Sequence, residues 1–151
     1  MASVDYRPAP EQRHPGQLEE LEVALPWVVA EGLDELGADR VALAGESAGA
    51  HLAAALLVRL GRTAPELQAT IDAAALTYGC YDLAKVLPSQ RRATMTTPIL
   101  SAAQLDWHAP AYRGGADPLD PEVSPLWADL IGMPPALFSV GTADRSSTTP
   151  C

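Results

Sequence analysis

The chain has 151 residues, 48% of them hydrophobic, and a formal net charge of −9. That is enough for one domain with its own core and too apolar for a disordered chain. The acidic balance argues against nucleic acid or anionic membrane as a partner, because both require a basic footprint. No apolar run approaches the ~18 residues of a membrane span. Cys80 and Cys151 have neither metal-ligand spacing nor the pattern of a disulfide framework. Neither a metal nor an organic cofactor is implied. Met1 to Pro10, with Asp5, Arg7 and two prolines, is unlike a secretion signal, so a cytoplasmic setting is the expectation.

In chain order, Ser3 to Tyr6 reads as the tail of a strand, followed by a Pro-rich loop from Arg7 to Gly16. Gln17 to Leu36 carries an apolar stripe through Leu18, Leu21, Leu25, Val28 and Val29, the signature of an amphipathic helix. Pro26 removes one donor and crowds the carbonyl of Glu22, which predicts a kink or two shorter helices. Gly37 and Asp39 end this segment. Arg40 to Ala44 reads as a short buried strand, and His51 to Leu60 as a helix capped by Gly61. Ile71 to Tyr78 is a second strand. Residues 83–118 carry Pro, Gly and polar punctuation and form a possible lid or insertion with short helices. Pro134-Pro135 introduces a third strand, Ala136 to Val140. The Ser/Thr-rich residues 145–151 are expected to be a disordered tail. Strands alternating with helical crossovers indicate an α/β fold with a mostly parallel sheet and flanking helices, in one domain over residues 1–144.

Gly45-Glu46-Ser47-Ala48-Gly49 lies between the first strand and the first long helix. In that context G-x-S-x-G is a sharp strand-to-helix turn that pushes Ser47 out above the sheet as a nucleophile. Gly45 and Gly49 are expected where strand and helix come too close for a Cβ. The N–H of Ala48, at a helix N-terminus, would face a developing oxyanion. The plain alternative is a Gly/Ser turn capping an ordinary helix. In open parallel sheets, functional groups gather past the carboxyl ends of the strands. Asp144, after the third strand, is the candidate acid in a Ser…Asp…His order, against an ordinary Asx turn. No histidine follows it. His14 falls in the Pro-rich loop, His51 on the helix after Ser47, and His108 in the possible lid beside Trp107. None of the three is expected to serve as the general base.

These segments resemble the α/β-hydrolase fold, and more narrowly the hormone-sensitive-lipase-like carboxylesterases. The likeness is carried by Val4 to Glu11, Asp39 to Ala53, Ser124-Pro125-Leu126, Met133 to Leu137 and Gly141-Thr142-Ala143-Asp144. It implies a serine hydrolase of small-molecule carboxylic esters. Ser47 would form an acyl-enzyme, Asp144 would orient a histidine and Ala48 would supply one oxyanion contact. Glu46, the variable residue of the elbow, would serve local structure. The resemblance also places a His-Gly-Gly oxyanion loop before residue 1 and the catalytic histidine after residue 151. This chain then corresponds to the middle of an incomplete hydrolase with little turnover of its own. In that topology Ser3 to Tyr6 has no partner strand, and the strand before Ser47 has one bare edge. Two further readings stay open: a non-catalytic remnant or binding module of the same fold, and a hydrolase of thioesters, amides or lactones. The sequence leaves the oligomeric state open.

Overall fold

The computed structural model describes residues 1–86 and 102–141. Its first helical stretch runs through α1 (Gly16–Trp27), a π-helical turn (Val28–Gly32) and α2 (Leu33–Leu36). Pro26 sits inside α1. A π-helical turn follows the proline and separates two α-helical stretches, α1 and α2, of which the second is a single turn. Gly37, at φ 62°, ends the stretch in the left-handed conformation that L side chains avoid. Of the predicted apolar stripe, Leu18 and Leu25 are buried, and Leu21 and Val29 pack partly against the core.

Next come β1 (Val41–Glu46), α3 (Ala48–Thr63), α4 (Pro65–Gln68) and β2 (Ile71–Thr77). They are followed by α5 (Ala102–Arg113), a 3-10 turn (Pro125–Trp127) and β3 (Ala136–Ser139). The described strands form a parallel sheet in the order β1-β2-β3, as their alternation with helices requires. Register pairs Gly45 with Leu76, Glu46 with Thr77 and Leu76 with Phe138, so all three carboxyl ends finish on one rim.

The core is centred on α3. Residues Ala50 to Val58 are all buried, with Leu18 and Leu25 from α1 and Ile71, Ala74 and Leu76 from β2. A helix that is apolar on every side must be covered on every side. Sheet and α1 supply that cover. The short side chains of Ala73, Ala74 and Ala75 belong to the β2 segment that pairs with β1 in the register above.

Three expectations are corrected. Ser3 to Tyr6 is not a strand; no described strand lies beside it, and an unpaired strand has no ladder to hold it. Gly61 does not cap α3, which continues to Thr63. A Cβ at Gly61 would instead lie 2.9 Å from the Gln68 side-chain amide, which donates to the Leu57 carbonyl at 2.9 Å. The third correction concerns Gly49 and follows with the site. Of the possible lid, residues 87–101 lie outside the described residues, as does the tail.

Candidate active site

Ser47 occupies the single residue between β1 and α3, with φ 53° and ψ −115°. A non-glycine residue pays about 1–3 kcal/mol to sit there and does so only where its neighbours fix it. The neighbours are identifiable. The Ser47 N–H donates to the Thr77 carbonyl at 2.9 Å, and the His51 N–H donates to the Ser47 carbonyl at 3.1 Å. The serine side chain is exposed and makes no capping bond to the helix it precedes. Its hydroxyl is thus neither buried nor spent on the backbone. Ala48 opens α3, where first-turn N–H groups lack intrahelical acceptors and favour negative charge.

The two glycines of the motif have different roles. A Cβ on Gly45 would lie 2.3 Å from the Gly49 carbonyl oxygen and 2.6 Å from the Ala50 nitrogen. Only glycine lets the helix start that close to the strand. A Cβ on Gly49 would meet nothing within 4 Å among the described residues. The expected crowding falls on Gly45 alone, because Gly49 contributes the backbone that does the crowding.

Glu46 and Tyr78 stand beside the serine on the same rim. The Tyr78 hydroxyl donates to Glu46 Oε1, and this bond to a carboxylate holds the phenol proton and raises its pKa. Tyr78 is itself at φ 39°, and its N–H donates to the Ser139 carbonyl at 2.7 Å. Sequence reasoning reached Tyr78 as a strand end but did not pair it with Glu46. Nothing in a single sequence announces a positive φ at tyrosine. Asp144 and the two residues before it lie outside the described residues. Gly141, two positions past β3, is inside them.

The histidines are held elsewhere. The His51 ring is buried, its Nδ1 2.7 Å from the Cys80 carbonyl oxygen. Burial lowers its pKa to about 4 despite that bond. His14 is half-buried with its Nδ1 3.4 Å from the Tyr112 hydroxyl, and desolvation lowers its pKa as well. His108 is exposed on α5, ring against ring with Trp107. Trp107 is 60% exposed among the described residues. Among the described residues no group of three or more His, Cys, Asp or Glu is arranged to hold a metal ion. No described helix is long and apolar enough to cross a membrane.

Comparison with known proteins agrees with this geometry. The profile of the alpha/beta hydrolase fold family matches residues 1–149. An acetyl-hydrolase of Streptomyces hygroscopicus is 34% identical over 142 residues, covering 94% of this chain and 46% of the relative. The carboxylesterase NlhH of Mycobacterium tuberculosis is 34% identical over 152 residues, covering 96% and 46% respectively. The crystal structure of an esterase from the bacterial hormone-sensitive lipase family superimposes with a TM-score of 0.81 at 33% identity, over 95% of this chain and 46% of that one. The chain thus spans a little under half the length of the curated relatives it matches.

Proposed function

Because the chain belongs to the α/β-hydrolase fold family, with its likeness in the hormone-sensitive-lipase-like carboxylesterase branch, we propose that Ser47 is the nucleophile of carboxylic ester hydrolysis. The observation that carries this reading is the exposed Ser47 hydroxyl at φ 53°, in the one-residue bend between β1 and α3. Ser47 Oγ attacks the ester carbonyl carbon and loses its proton to a general base. The tetrahedral oxyanion is stabilised by the Ala48 N–H at the start of α3. Collapse expels the alcohol and leaves an acyl group on Oγ, which water then removes. Asp144, which follows β3 in the sequence, is the acid that orients the base. Glu46 braces the bend through Tyr78 and transfers no proton.

None of the chain's three histidines supports the base role. His51 is committed to Cys80, His14 to Tyr112, and His108 meets Trp107 edge-on. A serine hydroxyl without a base is a weak nucleophile at neutral pH. Loss of the histidine base in a serine protease of a different fold, which uses the same nucleophile–base chemistry, lowers turnover on the order of 10⁶-fold. The 151-residue chain by itself is therefore expected to turn over esters negligibly.

A fluorophosphonate probe, with and without added imidazole as an external base, tests both parts. The expected result is slow labelling that imidazole accelerates, that maps to Ser47, and that Ser47→Ala abolishes. Rapid labelling without imidazole overturns the claim of negligible turnover. Labelling no faster than in Ser47→Ala, even with imidazole, overturns the nucleophile and leaves a non-catalytic binding role. Acetyl esters, thioesters, amides and lactones offered to the imidazole-supplemented chain then separate the acyl classes.

A further inference from the structure

We propose that His51 is a positioning residue for Ser47: a proton-sensitive latch that fastens the first turn of α3 to the segment leaving β2. The importance of what it positions rests on Ser47 being the nucleophile. The latch itself rests on geometry that holds whether or not Ser47 reacts.

The bend at Ser47 is strained and needs more than one fastening. Two backbone bonds have been described, Ser47 N–H to Thr77 and His51 N–H to Ser47. Both fix the bend from within the strand and the helix. The His51 ring adds an anchor of a different kind. It ties the helix, four residues past the serine, to the Cys80 carbonyl oxygen at 2.7 Å, three residues past the end of β2. A carbonyl oxygen can only accept, so Nδ1 must carry the proton and Nε2 must hold a lone pair. Nε2 is buried and has no hydrogen-bond partner. Of the two neutral tautomers, only the one protonated at Nδ1 makes the bond to Cys80.

Protonation adds a second N–H at Nε2, where no described group accepts it. The surroundings offer little to offset the charge. Tyr112 of α5 meets the ring edge-on, with centroids 5.2 Å apart and planes at 88°. Beyond it stands His14, which when charged would repel. Asp120, Glu122 and Glu19 act on His14 in one direction and Arg59 in the other. From the β2 side the ring meets a backbone carbonyl. Burial therefore holds the ring neutral in the closed elbow, with a pKa of about 4 against 6.5 when open to water. The sign follows from linkage. The open elbow binds the proton more readily, so acid favours opening, and the latch weakens as pH falls from about 6.5 toward 4. With these two values the opening equilibrium rises about 20-fold between pH 7 and pH 5.

The test is amide exchange of the full chain, read as protection factors at the hydrogen-bonded Ser47 and His51 amides and, as internal reference, at residues 73–76 of β2. In the wild type, elbow protection should fall about 20-fold between pH 7 and pH 5 while β2 protection holds. His51→Asn keeps a donor for Cys80 and cannot titrate, so its elbow protection should be the same at both pH values. His51→Leu removes the donor and should lower elbow protection at both. An equal pH-dependent fall in His51→Asn overturns the proposal, since carboxylates elsewhere would then be responsible. So does undiminished protection in His51→Leu. If His51→Leu does not fold, the wild type and His51→Asn still decide. Imidazole-dependent labelling of Ser47 at pH 7 is measured alongside. Its absence with the exchange pattern intact rejects the nucleophile and leaves the latch standing.

Discussion

Gly45 and Gly49 are the same residue type in the same motif, yet the structure assigns them opposite tolerance. Gly45→Ala drives a Cβ to 2.3 Å from the Gly49 carbonyl, so strand and helix must separate. The expected loss is about 3 kcal/mol in urea unfolding, in the range of backbone-strain and overpacking effects. Gly49→Ala meets nothing within 4 Å among the described residues. It should be neutral or stabilising by up to about 1 kcal/mol, the helix-propensity gain of alanine over glycine. Ser47→Gly should stabilise by about 1 kcal/mol, because release of roughly 1–3 kcal/mol of strain exceeds glycine's entropic cost of about 0.5–1 kcal/mol. It should also abolish fluorophosphonate labelling. At this scale the sequence was informative in a particular way. The G-x-S-x-G spacing located Ser47 and its flanking turn. It did not tell which glycine is sterically required, because that depends on which backbone atom faces which Cα. The His51 latch and the Glu46–Tyr78 bond were illegible for a similar reason: their partners lie 29 and 32 residues away, and one sequence holds no record of such pairings.

Elements were read well where periodicity is strong and less well where it is not. The apolar runs at β1, β2 and β3 and the apolar middle of α3 are legible by pattern, although the expected burial of the first strand does not hold: of β1 only Val41 is buried, and β3 is exposed throughout. Ser3 to Tyr6 carries strand-like residues without a described strand to pair with, and propensity alone cannot supply a partner. Pro26 was expected to give a kink or two shorter helices, and α1 and α2 are α-helical stretches joined through a π turn whose type the sequence did not show. The helical layer is tied together by a charged cluster that composition could not show. Arg59 of α3 donates to Glu22 of α1 at 2.8 Å and to Glu122, just before the 3-10 turn, at 2.9 Å. These side chains are partly screened by water, so the contribution is modest. Arg59→Met should cost about 1–2 kcal/mol in a denaturant titration. Salt should reduce the wild type's advantage over this variant.

At the scale of the whole molecule, stability rests on one helix more than on the sheet. Leu56 of α3 is 1% exposed, and Leu56→Ala should cost about 2–5 kcal/mol by calorimetry or urea unfolding. The sheet's outer parts are barely covered. In β3 every residue is exposed, Leu137 to 69%, and Ile131, earlier in the chain, is 90% exposed.

The strand order β1-β2-β3 has one more consequence. Each end of this short parallel sheet offers a row of amides and carbonyls with no described strand beside it, and the two rows differ. Adding β3 of one molecule alongside β1 of another would repeat the internal pairing direction without closing, so growth is head-to-tail and unlimited. The charge of −9 keeps like molecules apart in dilute buffer, and counterions shorten that repulsion. Light scattering from concentrated protein should therefore climb as sodium chloride is raised. A lysine in place of Leu137 should suppress the climb.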